Sequence, residues 1–494
     1  MVKRMRKAGI QMVSGFGLTA FSEDELDAIH YATLQVMERT GLRVETDEAV
    51  EIFHGAGASI ERREGYSVVR IPPYVVEDCI AWAPSTVVFH GRDPEDDFLA
   101  EPKRMSLTNG GACLNVIDPF TTEYRKARKK DCGDIARACD YLDEVGVLER
   151  PCICSDVPAE VHQVHTLEII LQNTSKHTFI GAHTARNLRK MVDVAAACAG
   201  GMDEFEKRPI FTPSVCPTSP LALLPDCCEV VIEAARRGLK IWIVPMALAG
   251  ATSTATLAGT LVTTNAEVLG ALVLAQLTAK GTACTYGNTS TIMDMRTGIS
   301  SVGAPELSLI ASSAAKLAQY YRLPCLVGGG MSDSKVPDAQ AAYETALSAL
   351  TAALAGANII FGAGGLDQFL TFDYAKLFMD AELIGMVTKI VGGVEVTDAS
   401  MALDVIHQAG PSGEFITQDH TYHHMKELSQ NTLFDRSLRD VWIAAGGKDL
   451  TERAYEKARH VLQNYKPKPL SEGAVGDMQK IVAGYEKELG IGEG

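Results

Sequence analysis

Between Met105 and Val391 short apolar runs alternate with helical stretches eight times, and this alternation limits the possible folds more than any other feature. The clearest copy is Leu323–Leu354, LPCLVGGGMSDSKVPDAQAAYETALSALTAAL. Pro324–Val327 is an apolar run with a β-branched end, three glycines break it, and Ser332–Asp338 is polar turn chemistry. Pro337 stands where a first helical turn tolerates proline. The Ala-rich remainder predicts a helix of about four turns. The spacing predicts strands at Met105–Gly110, Pro151–Ser155, His177–Ala182, Ile210–Val215, Lys240–Met246, Thr282–Gly287, Pro324–Gly329 and Asn358–Phe361. The helices that follow them are Asp131–Val145, Ala159–Asn173, Ala185–Ala199, Pro225–Arg237, Thr254–Ala279, Pro305–Tyr321, Pro337–Ala355 and Tyr374–Val391. A helix between consecutive strands implies parallel pairing. Eight such units in about 290 residues match a closed barrel better than an open sheet.

The expected fold class is therefore α/β, a (β/α)8 TIM barrel over 105–395. Residues 1–104 form a mixed N-terminal α/β region. Its helices are Ser22–Arg39, opened by the capping pattern SEDE, then Thr46–Ala56 and Pro72–Ala83; strands fall at Ser67–Ile71 and Thr86–His90, with an acidic turn at Asp93–Asp97. A helical C-terminal extension, 396–494, carries helices at Ser400–Gln408, His423–Gln430, Leu433–Ala444 and Leu450–Asn464, and Pro467 and Pro469 make a stiff turn before the last one. Its Leu and Val positions need cover. It wraps the barrel or makes subunit contacts, and a homo-oligomer is expected.

A formal charge of −16 argues against nucleic acid or an anionic membrane as partner. The twelve cysteines lie largely inside apolar runs, and the basic Met1–Gly9 segment lacks the apolar core of a secretory signal, so a reducing cytoplasm is expected. Thr, Ser, Asn265 and Glu267 interrupt the apolar stretch Ala247–Ala279, which reads as a buried helix and not a membrane span.

HExxH, paired CxxC, GxxxxGK[ST] and GxSxG are all absent. Gly328–Gly330 and Gly362–Gly365 follow the seventh and eighth runs, where barrel loops often hold phosphate. No arginine is adjacent and only Lys335 is close, so close approach of backbone or ligand is the preferred reading. His420, His423 and His424, like His162 and His165, share a helix face but lack a further ligand type, and no metal is expected. Phe211, Tyr286 and Phe361 fall at or near strand ends, with Phe369 and Phe372 just beyond. Singly these are packing residues. Around one mouth they would cage an alkylated ammonium, worth up to about 2 kcal/mol when desolvated. Asp156, Asp294, Asp338 and Glu344 would add negative potential there, although each alone reads as a cap or a solvated group.

Three stretches resemble the trimethylamine:corrinoid methyltransferase family: DPFTTEYRKARKKDCGDIARACD (Asp118–Asp140), YGNTSTIMDMRTGISSVGAPELSLIASSAAKLAQYYRLP (Tyr286–Pro324) and GGGMSDSKVPDAQAAYE (Gly328–Glu344). HTYHH, from His420, is similar to that family's C-terminal His-Thr signature. The resemblance runs over nearly the whole chain. It implies an eightfold barrel and transfer of a methyl group to the cobalt of a separate corrinoid protein, with cobalamin carried by that partner and no cofactor held tightly here. The founding members carry pyrrolysine near the position of Gly328–Met331, where this chain has ordinary residues. Without that electrophile, a donor that already bears positive charge is expected. A quaternary amine leaves as a neutral tertiary amine and needs neither covalent activation nor a general acid. Glycine betaine is the first choice, then proline betaine or carnitine. Catalysis would rest on positioning and exclusion of water, with no certain catalytic side chain.

The expected substrate contacts are Phe211, Tyr286 and Phe361 for the cation, His183 and Arg296 for a carboxylate, and Asn109 with Gly328, Gly329, Gly330 and Met331 around the mouth. Two other readings stay open. One is a barrel lyase or aldolase using Lys335 or a phosphate grip at Gly362–Gly365. The other is a non-catalytic subunit that binds betaine.

Overall fold

Eight parallel strands meet at the centre of the computed structural model, which describes residues 10–11, 17–102, 104–430 and 432–491; the Met1–Gly9 segment lies outside them. The strands are β1 (Arg104–Asn109), β2 (Val147–Glu149), β3 (His177–Gly181), β4 (Phe211–Val215), β5 (Ile241–Ile243), β6 (Cys284–Asn288), β7 (Cys325–Gly328) and β8 (Ile359–Ala363). Each from β2 to β7 pairs in parallel with the next, and β8 pairs with β1. A parallel bridge between Leu107 and Val145 brings β1 back to the start of β2, so the sheet closes on itself.

The helices between the strands are α1 (Lys129–Tyr141), α2 (His162–Asn173), α3 (Ala185–Ala199), α4 (Pro225–Arg236), α5 (Leu257–Thr278), α6 (Pro305–Tyr320) and α7 (Ala339–Leu354), and α8 (Tyr374–Gly392) follows β8. Local chemistry sets their starts. Thr184, Asp338 and Asp373 accept from backbone N–H groups one turn on, and α4 and α6 begin with proline. α5 is long and apolar enough to cross a membrane by length and composition, but it is buried against the helices Glu23–Gln35 and Pro73–Trp82.

The second strand differs from the sequence expectation. It forms at Val147–Glu149 and not at Pro151–Ser155. Pro151 has no N–H to give a central ladder. The chain beyond it makes a single bridge, Cys113 to Cys152.

The amino end of the barrel is plugged by the hairpin Val87–Phe89/Phe98–Ala100. Its Phe89 ring lies 5.0 Å from Phe179 and 5.1 Å from His177, ring centre to ring centre. At the carboxyl end two small sheets rise from the loops. One joins Gly365–Leu366, Thr371–Asp373, Asn115–Ile117 and Tyr124–Lys126; the other joins Leu248–Ala249, Thr291–Asp294 and Ile299–Ser301.

In the C-terminal extension the helix Leu450–Asn464 packs on α8 and Glu472–Glu488 packs on α3. Two expected helices are shorter. The one expected over His423–Gln430 is Asp419–His424 followed by a single tight turn, and the one expected over Leu433–Ala444 starts only at Arg439. Glu382 accounts for the second, because its carboxylate accepts the N–H groups of Thr432 and Leu433 and holds the chain out of helical register. All twelve cysteines are free thiols.

Candidate active site

Side chains of a strand alternate between faces, so each barrel strand offers one set to the helices and one to the lumen. The lumen set includes Val147, Phe179, Trp242, Leu326, Ile359 and Phe361, which form one cluster with the Phe89–Phe98 plug. Above this layer the wall is rich in glycine, and on one side large side chains lie over the glycines. A methyl group on Gly287 would come 2.4 Å from Trp242 Nε1, and one on Gly328 would come 2.4 Å from Met331 Cε. On Gly110 it would meet Phe369 at 2.4 Å, and on Gly111 it would meet Glu149 Cγ at 2.7 Å and Phe361 Cε2 at 3.3 Å. These glycines admit bulky groups from neighbouring strands and loops. Across the lumen, Gly181 and Ser214 at the ends of β3 and β4 are covered by nothing large and are part-exposed. The lumen is open on that side.

Three rings form the inner wall. Phe361 stacks on Phe369 at 5.1 Å and 8°, and Trp242 lies 5.9 Å from Phe361. Asp367, Gln368 and Phe369 all have left-handed backbone (φ 52°, 56° and 74°), a conformation costly for residues with side chains. Hydrogen bonds from Asp367 N–H to Ser334 O (2.8 Å) and Gln368 N–H to Ser332 O (3.2 Å) hold that bend and keep Phe369 over Phe361.

Glu149 closes β2 beside these rings. It is 5% exposed, and its Oε2 has no hydrogen-bond partner in the chain. Asn109 fixes its backbone: Asn109 Oδ1 accepts Glu149 N–H at 3.0 Å, and Asn109 Nδ2 donates to Glu149 O at 2.8 Å. Burial pushes the Glu149 carboxyl up to about 8, against the pull of the Arg150 charge and a backbone hydrogen bond there. Trp242 Nε1, Thr108 Oγ1 and Thr285 Oγ1, all buried on lumen-facing positions, also lack partners. A neutral acid and three unused polar atoms next to aromatic faces make a site built for a polar or charged small molecule.

The rim beside Glu149 is cationic. Arg150 is half-buried, its Nε has no partner, and no carboxylate pairs with it among the described residues. His162 at the start of α2 is 6% exposed. Its Nδ1 donates to Ala159 O at 2.8 Å, which leaves Nε2 as a buried, unpartnered acceptor. His183, after β3, lies 5.5 Å from His162, ring to ring. Desolvation, joined by the Arg150 charge, holds both imidazoles below their ordinary value.

Of the expected contacts, the structure brings Phe361 and His183 to the mouth. Phe211 and Tyr286 are corrections: both face the helices, Phe211 stacked on Phe205 at 5.8 Å and Tyr286 donating to Asn265 Oδ1 at 3.0 Å. Asn109 is also a correction, since its amide is spent on bracing Glu149. Arg296 is 90% exposed in a hairpin and pairs with Asp294. Gly328, Gly329 and Gly330 leave no room for a ligand: Met331, 1% exposed, fills the space over Gly328, a methyl on Gly329 would strike Ile360 Cγ2 at 2.9 Å, and Gly330 donates to Ser348 Oγ. Asp156, Asp338 and Glu344 serve as caps and loop ties.

The residues missed were Glu149, Arg150 and Trp242. A charged pair closing the run VGVL was the available signal for the first two, and a tryptophan between isoleucines in IWI was the signal for the third.

The phosphate grip also falls away. Gly364 donates its N–H to Asp380, which pairs with the buried Lys376, and Lys376 in turn donates to Gly330 O at 3.0 Å. Lys335 is 66% exposed and donates to Asp333 O, outside the lumen. No group of His, Cys, Asp and Glu suited to a metal occurs among the described residues. A cleft of about 630 Å³ near His30, Glu77 and Tyr320 opens beside the outer helix layer, on the turn that leads into the amino end of β7.

The fold resembles the solved hydroxylamine complex of MtmB, with a TM-score of 0.50 over 89% of this chain and 93% of that one at 13% identity, a likeness of fold alone. Among curated proteins, the trimethylamine methyltransferase MttB of Desulfitobacterium hafniense is 49% identical over 99% of this chain and 98% of its own length. That of Methanosarcina barkeri is 38% identical over 99% of both. A glycine betaine methyltransferase of Desulfitobacterium hafniense is 32% identical over 95% of this chain and 97% of its own length. The pattern of the trimethylamine methyltransferase (MTTB) family matches residues 6–490, and with these full-length relatives it establishes that the chain belongs to that family.

Proposed function

We propose that the protein takes a methyl group from a quaternary amine, glycine betaine before proline betaine or carnitine, and passes it to the Co(I) nucleophile of a separate corrinoid protein. The observation that carries this reading is Glu149, a buried carboxyl with an unpaired oxygen beside the stacked rings of Phe361 and Phe369. Aromatic faces attract an alkylated ammonium, and a carboxyl beside them ionises when such a cation enters. The ordinary residues at Gly328–Met331 favour a donor that arrives charged.

The partner supplies the nucleophile, and the chain supplies position. Trp242, Phe361 and Glu149 hold the ammonium so that one N-methyl points out through the open β3–β4 side. The C–N bond breaks with its electron pair going to nitrogen, and a neutral tertiary amine leaves. Positive charge is lost in the transition state, so binding the cation more tightly would stabilise the ground state as well. Orientation and exclusion of water supply the rate. We also take the corrinoid to be the partner's cofactor and not a resident of this chain, and the reaction to be cytoplasmic.

A second reading has its own support. With its carboxyl raised to about 8, Glu149 is a proton donor at neutral pH, and its proton would make trimethylamine a charged donor that leaves as neutral dimethylamine. The relatives named for trimethylamine are also the more similar ones. A donor panel with reduced cobalamin, followed by the absorbance change on methylation, decides between them. Transfer from glycine betaine is expected. Transfer from trimethylamine alone would replace the first reading with the second, and transfer from no methylated amine would end both.

A further inference from the structure

We propose that residues 394–443, the stretch between α8 and the helix Leu450–Asn464, form an arm that a second copy of this chain covers, so that the protein is a permanent homo-oligomer joined through it. The inference is independent of the methyl-transfer reading. Its basis is a stretch with defined helices and no core. Asp398–Met401, Leu403–Ala409, Asp419–His424 and Arg439–Ala444 contain no buried residue, and among the described residues from 392 to 432 not one is buried. The longest of these helices has 7 residues. A helix shorter than about 12 residues is marginal in water unless something packs on it. Yet the stretch is far from polar. Thirteen large apolar side chains are exposed between Val394 and Ile443, among them Val396, Ile416, Tyr422, Leu428 and Leu438 at 68–80%.

Area and position choose the occupant. The exposed apolar set offers on the order of 1,000 Å², more than the roughly 300–600 Å² of the largest apolar patch on an ordinary monomer. Two copies that each bury such an area reach the roughly 2,000 Å² at which permanent homo-oligomer interfaces begin. The corrinoid partner fits the arm poorly. α8 runs back against the strands, so its end at Gly392 lies at the amino end of the barrel. Lys389 Nζ donates to Glu427 O at 2.8 Å and ties the far part of the arm to the same foot. A helix of 19 residues sets that root about 28 Å from the mouth. A partner that visits the mouth and departs would also leave the arm bare between visits. Short helices without a core need a cover that stays, and a second copy is present wherever the chain is.

The test weighs the full chain in solution, by light scattering after gel filtration at micromolar concentration, beside the double variant Ile416→Glu, Leu428→Glu. Both side chains are exposed in the single chain, so the barrel should still form, and far-UV circular dichroism checks that it does. The wild type should run at a multiple of one chain's mass, and the double variant should fall to one chain. Hydrogen exchange on the wild type decides the matter if the variant does not fold. Backbone amides of Asp419–His424 should exchange at least about 10-fold more slowly than in a free peptide, as packed helices do. A wild type that is a single chain, an oligomer that persists in the folded double variant, or arm amides that exchange at free-peptide rates overturns the proposal. Slowing that appears only when the corrinoid protein is added overturns it in favour of that partner.

Discussion

On the outward face of the barrel Tyr286 donates to Asn265, whose amide donates to Tyr321 at 2.7 Å and to Thr33 at 2.9 Å, and Thr33 donates to the Ile29 carbonyl. On the inward face, one strand away, Trp242 Nε1 donates to nothing, and across the lumen Glu149 Oε2 accepts nothing. Both sets are buried in the barrel. A buried polar atom without a partner loses roughly 1–3 kcal/mol, so a chain selected for stability alone would have completed the second network as it did the first. The outward network holds the barrel to its helices, and the inward one is left for a ligand to complete.

Glu149→Gln attacks this contrast most directly. It keeps the shape and removes the anion, so kcat/KM for a quaternary donor should fall about 10- to 100-fold in the cobalamin assay. The same change should stabilise the fold. The Glu149 carboxyl is raised in the folded chain, to about 8 from an ordinary 4.5, so the native state keeps a proton that the unfolded state releases. Stability contributed by the neutral acid is whole below pH 4.5 and drains away as pH rises to about 8. Urea midpoints at pH 5 and pH 8.5 should therefore fall less in Glu149→Gln than in the wild type. An equal fall would remove Glu149 as the source of the slope.

Phe211→Ala tests the other face. It opens a cavity beside Phe205 and should cost about 3–5 kcal/mol by urea unfolding, with kcat/KM per folded molecule unchanged. Tyr286→Phe strips one hydrogen bond and leaves Asn265 Oδ1 short of a donor, for a loss of about 1–2 kcal/mol and no change in transfer. Arg296→Ala, on the exposed hairpin, should move neither quantity beyond about 0.5 kcal/mol. A large loss of transfer in Phe211→Ala, Tyr286→Phe or Arg296→Ala would dissolve the division between the faces.

Much of the fold was legible from local pattern. α3 and the helix Leu450–Asn464 start and stop at the residues the sequence indicates, since caps and helical periodicity are written within a few neighbours. The second strand was legible only in part. PCIC and GVLE are both short apolar runs, and choosing between them needed the ladder to β3 and the proline's missing donor. The site was less legible still. Phe211, Tyr286, Trp242 and Phe361 all lie on barrel strands, yet two face the helices and two face the lumen.

The sequence by itself determined the eightfold alternation and the ends of helices such as α3, because each is encoded over a span shorter than one strand–helix unit. Only the tertiary structure decided which aromatic faces inward and which polar groups converge. A parallel strand covered on both faces has no polar side to betray its orientation, and shifting it by one residue turns every side chain over. Glu149, Arg150, His162 and His183 come from two strand ends and the start of a helix, and closure of the barrel is what sets them side by side.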